Sequence, residues 1–213
     1  MDYSQRRRYL LGSETHGLMN YPFRTAALDW LRGGDAACFR DTMETIREHY
    51  PRPAFYSALN ILGTHDTPRI LTLLGAEHVP GTKDARAAYR LSPEERQKGE
   101  ARLRVGEMLL YCFPGSPTVY YGDEAGMEGF EDPLNRKTYP WDRQDRALLD
   151  FFRSLGQLRR HRPSLQDGDL TYVYAQGGAL VLRRQLGDEI TVAALNAGET
   201  AVAVSYTHLT LPT

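Results

Sequence analysis

Apolar positions recur along this chain with two different periods, and the change between them divides it. Phe39, Met43, Ile46 and Tyr50 stand at i, i+4, i+7 and i+11, one face of a helix that Asp35 is placed to cap and that Pro51 and Pro53 end. Leu148, Leu149, Phe152, Leu155 and Leu158 mark another helix, capped by Asp145 and stopped by Pro163. Ser92-Pro93-Glu94-Glu95 sets out a capping box with proline at the first helical position, which predicts a helix to about Phe113. Shorter helices are expected from Arg24 to Leu31 and from Arg69 to Leu74, ended by Gly33-Gly34 and by Gly75. Arg6 to Leu11 reads as a helix end stopped by Gly12.

Short strand-like runs alternate with these helices: Gly17 to Phe23, Tyr56 to Leu62, and Thr118 to Tyr121. Each carries a polar tip. Strand-helix repeated in this way is the grammar of a parallel α/β sheet or barrel. A closed barrel of the common type needs eight such units, so three leave a parallel edge strand unpaired. Residues 76–91 and 125–144 read as loops. The second holds Asp132, Asn135, Arg136, Tyr139 and Trp141, and long loops without a period are commonly functional. Past Pro163 to Gly168 the period falls to two. Leu170–Ala175, Ala179–Arg184, Glu189–Leu195 and Thr200–Val204 form four runs separated by turn residues, an antiparallel β module.

Composition narrows the partners. At 213 residues with 41% apolar and 25% charged side chains, the chain is ordinary globular material. A net charge of -1 gives no reason to expect nucleic acid or an anionic membrane. No apolar run is long enough to span a bilayer, and the arginine-rich start lacks the apolar core of a signal peptide. A cytoplasmic location is expected. Cys38 and Cys112 fall in predicted helices far apart and read as buried free thiols.

Candidate chemistry gathers at one strand end. Polar side chains at the carboxyl end of a buried strand are where α/β folds place reactions. His65-Asp66 follows the strand ending at Leu62. An imidazole donates to a sugar hydroxyl and a carboxylate accepts from one. The same residues admit a plainer role, with Asp66 or Thr67 capping a helix that opens at Pro68.

Four stretches together resemble the α-amylase family of glycoside hydrolases (family 13), in its neopullulanase, cyclomaltodextrinase and maltogenic-amylase branch. Leu18-Met19-Asn20-Tyr21-Pro22-Phe23-Arg24 is similar to that branch's sixth barrel strand, and Leu62-Gly63-Thr64-His65-Asp66-Thr67 to the family's seventh-strand motif. Phe113 to Gly126 resembles the eighth strand, and Asp132-Pro133-Leu134-Asn135-Arg136 with Trp141 the loop after it. The resemblance implies a (β/α)8 barrel, present here from about its sixth to eighth strands over residues 1–165, with a β-sandwich domain starting over 166–204. Residues 205–213 read as translated adapter sequence. It implies retaining cleavage of α-glucosidic bonds in cyclodextrins, pullulan or maltooligosaccharides. Asp66 matches the carboxylate that stabilises the transition state, and His65 its sugar-binding neighbour. Asp132 and Arg136 match a pair holding a further glucose, and Asn20 and Tyr21 are carried over as substrate contacts. By themselves, Asp132 and Arg136 also read as a surface i, i+4 ion pair.

One departure limits the resemblance. The family's nucleophilic aspartate and acid glutamate lie on its fourth and fifth strands, upstream of these motifs. Glu14 sits in a position the family does not use as the acid, and Asp123 and Glu124 are expected to shape the rim or bond to neighbouring loops. Met1 reads as an internal methionine or the edge of a truncated read, and the chain alone is expected to be inactive. No cofactor is expected. The acidic residues form no EF-hand-like spacing, and the resemblance leaves room for calcium, and for a homodimer, in a longer parent. The competing reading is a non-catalytic sugar-binding or accessory protein on the same barrel. A site-less α/β domain is the blandest alternative.

Overall fold

The computed structural model of the chain describes residues 6–204. A 3-10 turn, Arg8–Leu10, leads toward a parallel sheet of three short strands. These are β1 (Met19–Asn20), β2 (Leu59–Ile61) and β3 (Ser116–Thr118), with β2 in the middle. Met19 pairs with Leu59, Asn20 with Asn60, Asn60 with Pro117, and Ile61 with Thr118. Between β1 and β2 lie α1 (Tyr21–Leu31), α2 (Ala36–His49) and α3 (Arg52–Tyr56). Between β2 and β3 lie α4 (Ile70–Gly75), α5 (Lys83–Ala88) and α6 (Pro93–Cys112). After β3 come α7 (Arg146–Arg160) and α8 (Pro163–Asp167). A second, antiparallel sheet follows: β4 (Asp169–Gln176), β5 (Ala179–Leu186) and β6 (Glu189–Asn196), with β5 central.

Three of the caps that start these helices are ones the sequence announces. Ser92 Oγ accepts from Glu95 N at 3.2 Å and Glu95 Oε2 accepts from Ser92 N at 2.8 Å. Asp145 caps α7 through Leu148 N at 3.0 Å. Asp35 Oδ1 accepts from Ala37 N, and also from Gly177 N on the β4–β5 turn, each at 2.8 Å. One carboxylate thus caps α2 and pins the second sheet.

The larger of two apolar clusters runs through both sheets. Phe23, Phe39 and Phe113 meet pairwise at 5.4 to 5.6 Å between ring centres, in edge-on or tilted contacts. Leu62, Leu103 and Leu109 join them, as do Leu170, Leu180, Leu182 and Leu195 of the antiparallel sheet. Arg184 of β5 is buried and donates to the carbonyl oxygens of Cys112 at 2.8 Å and Gly168 at 2.9 Å. Burial, with Arg159 nearby, pulls its pKa down to about 10.

Several boundaries differ from the pattern, each for a local reason. Helix α1 begins at Tyr21 rather than Arg24, because the Asn20 side chain accepts from Phe23 N at 3.1 Å and Pro22 fits the first turn. Tyr56 closes α3 instead of opening a strand, Pro53 standing in that helix's first turn. Strand β3 starts at Ser116 and ends at Thr118, the first residue of the expected Thr118–Tyr121 run, leaving Tyr120 and Tyr121 past its end. Helix α4 opens at Ile70 and no side chain caps it, so neither Asp66 nor Thr67 plays the capping role. Helix α5, capped by Thr82, lies inside the stretch read as loop. Residues 201–204 form no strand. Cys112 is buried but Cys38 is exposed, on the outward side of α2. The 205–213 run lies outside the described residues. Among those described, no helix is long and apolar enough to cross a membrane.

Candidate functional site

Because β1, β2 and β3 are parallel, their carboxyl ends share one edge of the sheet, and the loops leaving that edge meet. The loop after β2 turns sharply. Thr64 Oγ1 accepts from Asp66 N at 3.1 Å, and the Thr64 carbonyl accepts from Thr67 N at 3.3 Å. That turn lifts His65 and Asp66 out of the sheet, with side chains 53% and 58% exposed and His65 Nε2 3.3 Å from Asp66 Oδ1.

The long loop after β3 supplies the other half. A turn over Glu131–Arg136, which includes a cis Asp132–Pro133 bond, presents Asp132 and Arg136 on one side. Arg136 Nε meets Asp132 Oδ1 at 2.7 Å, and Arg136 Nη2 lies 3.7 Å from Asp66 Oδ1. One guanidinium therefore spans two carboxylates from different loops. Asn135, fully buried between them, donates from Nδ2 to the carbonyl oxygens of His65 and Thr67, each at 2.8 Å. Arg69 N donates to the Gly129 carbonyl, and Gly129 N to Thr72 Oγ1, both at 2.9 Å. These bonds fix the start of the loop against α4.

Charged groups lie buried beneath this surface. Arg69 Nη1 meets Asp123 Oδ1 at 3.2 Å, with neither side chain reaching solvent appreciably. It also donates to the Tyr121 carbonyl, and its guanidinium lies 4.3 and 4.6 Å from the rings of Tyr120 and Tyr121. Gly63 is required here, since a Cβ would stand 2.1 Å from Asp123 Oδ2. Burial pushes the Asp123 carboxyl up to about 7 even though Arg69 pulls the other way. Glu107 on α6 is buried with no partner for Oε2. Burial, then the charges of Asp123 and Glu124, raise its pKa well above the carboxylate range.

The structure thus brings His65, Asp66, Asp132 and Arg136 together. It does not bring Asn20 into that group. Asn20 is buried, its oxygen capping α1 and its amide nitrogen donating to Asn60 Oδ1 at 2.9 Å. Both ends are committed to the protein, which corrects its assignment as a substrate contact. Tyr21 is half-buried at the first residue of α1, and Glu14 lies exposed in the bend before β1. Sequence reasoning missed Asn135 as the tether and Arg69 as the partner of Asp123. A buried amide in a loop has no periodic signal, and Arg69 reads as an ordinary first helical residue. Among the described residues no group of three or more His, Cys, Asp or Glu could hold a metal.

An exposed site of two carboxylates, an imidazole and a guanidinium suits neighbouring hydroxyls, since donors and acceptors alternate across it. The family profile described as "Alpha amylase, catalytic domain" matches residues 2–167. The chain belongs to that family. This member of the α-amylase family is 38% identical over 189 residues to the amylopullulanase of Thermoanaerobacterium saccharolyticum, covering 83% of the chain and 14% of that protein. It is 31% identical over 202 residues to the cyclomaltodextrinase of Geobacillus thermopakistaniensis (strain MAS1), covering 92% of the chain and 31% of that protein. Among solved structures, the native debranching enzyme of Nostoc punctiforme matches with a TM-score of 0.76 at 27% identity, over 92% of this chain and 40% of that one. The α-amylase of Geobacillus thermoleovorans complexed with acarbose matches with a TM-score of 0.73 at 29% identity, over 92% and 40%. The cyclomaltodextrinase and neopullulanase likeness read from the motifs holds. The chain spans less than half the length of each of these proteins.

Proposed function

We propose that this α-amylase-family chain is the portion of a (β/α)8 barrel from about the sixth to the eighth strand, with the first strands of a β-sandwich, of a retaining α-glucan hydrolase. The observation that carries the reading is the cluster at the carboxyl ends of β2 and β3: Asp66 beside His65, joined through Arg136 to Asp132. Two carboxylates held about one guanidinium suit the vicinal hydroxyls of glucose units. The sheet favours a larger barrel as well. Met19 and Leu59, partners in register, are each 39% exposed, an apolar face that further strands would cover.

In this reading Asp66 accepts from sugar hydroxyls and favours the distorted ring of an oxocarbenium-like transition state. His65 donates to the same sugar, and Asp132 with Arg136 holds a further unit. The nucleophilic aspartate and acid glutamate belong to strands outside this stretch. The names of the relatives and the acarbose complex of the Geobacillus enzyme support α-glucans as the substrate class. The chain alone then binds glucan without cleaving it, because the reacting groups act as a unit. Assaying the purified chain for reducing sugar released from cyclodextrin or pullulan tests this. The expected result is no release above a blank, and sustained turnover refutes the assignment.

A further inference from the structure

Arg136 reaches Asp66, but the next residue, Lys137, lines a separate cavity of about 730 Å³. Four cationic side chains line it, Arg90, Arg96, Lys137 and Arg143, against two carboxylates, Glu128 and Asp145. Arg96 takes both carboxylates, meeting Glu128 Oε1 at 2.9 Å and Asp145 Oδ2 at 3.0 Å. Their other oxygens accept from backbone: Glu128 Oε2 from Leu91 N and Asp145 Oδ1 from Leu148 N, both at 3.0 Å. The anionic side is thereby spent. Among the described residues, Arg90, Lys137 and Arg143 make no ion pair, although all three border the same space.

Two of these cations are partly anchored, which orients them. Lys137 Nζ donates to the Glu128 carbonyl at 3.2 Å, leaving two N–H groups. Arg90 Nη1 donates to the carbonyls of Ala87 and Tyr89, leaving the rest of its guanidinium. Burial first, and then the nearby Arg90, lower the Lys137 pKa.

We propose that this cavity binds a phosphorylated sugar, with the phosphoryl dianion on Arg90, Lys137 and Arg143 and the sugar filling the rest of its volume. Guanidinium groups match phosphoryl oxygens in pairs, and a dianion answers three cations on one cavity better than a carboxylate does. The volume falls in the range of small-molecule sites, far beyond what one phosphate ion fills. The site is distinct from the His65–Asp66 surface, and it stands or falls separately from the glucan reading.

Isothermal titration of the chain with glucose 6-phosphate, inorganic phosphate and glucose is the test. Saturable binding of glucose 6-phosphate is expected, weaker binding of inorganic phosphate, and none of glucose. Arg143→Ser and Lys137→Met should each weaken glucose 6-phosphate by about tenfold, the loss of one charge-assisted bond. A readout without substitution is acylation of the Lys137 amine, which the ligand should slow. No saturable heat, affinities untouched by the variants, or an unchanged acylation rate would each overturn the site and leave only adventitious ion association.

Discussion

Asn135 holds His65 by its backbone, Nδ2 donating to the His65 carbonyl oxygen at 2.8 Å from a position with no solvent exposure. The same nitrogen holds the Thr67 carbonyl at 2.8 Å. The loop after β3 is thus tied to the loop after β2 by a buried amide. The exposed pairs of Arg136 with Asp66 and Asp132 ride on that tie, and such surface pairs contribute little stability themselves.

The consequence is a contrast between neighbours. Asn135→Ala should destabilise the chain by about 2 kcal/mol, since a buried amide is removed and two carbonyls lose their donor. Asp66→Asn, on the exposed side of the same turn, should change stability by less than about 0.5 kcal/mol. Chemical denaturation of both variants checks this, and equal losses would contradict it.

Gly63→Ala tests how closely the buried Arg69–Asp123 pair sits under the loop. The added Cβ would lie 2.1 Å from Asp123 Oδ2, so either the backbone moves or the ion pair opens. A loss of about 2 kcal/mol or more is expected in thermal unfolding. A variant as stable as the parent would mean that the pair is not held in this position.

The buried carboxyls give the fold a pH dependence of definite sign. Asp123 is pushed up to about 7 and Glu107 well above its ordinary value, in both cases chiefly by burial. The folded chain therefore keeps protons that the unfolded chain has released once pH exceeds the usual carboxylate range of about 4. Stability contributed by the protonated groups is full below that range and is lost as pH rises toward 7. The melting temperature should fall between about pH 4 and pH 7, and Glu107→Gln should flatten the fall and raise the value at the upper end. A variant with an unchanged slope would show that Glu107 is not the group responsible.

Much of this was readable in the sequence where a local rule decides structure. The capping residues Asp35, Ser92 and Asp145 each act within a turn of their own helix, so their signals survive without tertiary knowledge. The meeting of Asp66 with Arg136 follows from parallel strands and two loops at one edge. What the sequence hides is burial that contradicts polarity. Arg69, Glu107 and Arg184 look like surface residues in any periodic pattern, yet all three are buried; the two arginines lie inside because distant carbonyls, rings and, for Arg69, a carboxylate surround them. Asn20 misleads in the same way: a polar tip on a strand becomes a helix cap once Phe23 N is beside it.

The account rests on the four-residue cluster binding glucan, and one titration reaches it directly. Maltotetraose is titrated calorimetrically into the chain and into Asp66→Ala and Asp132→Ala, with denaturation profiles confirming that all three are folded. The predicted result is saturable binding by the unsubstituted chain and a loss of about tenfold or more in each variant, as expected when a charged hydrogen-bond partner of a ligand is removed. Identical affinities in all three, or no binding by the unsubstituted chain, would contradict the assignment.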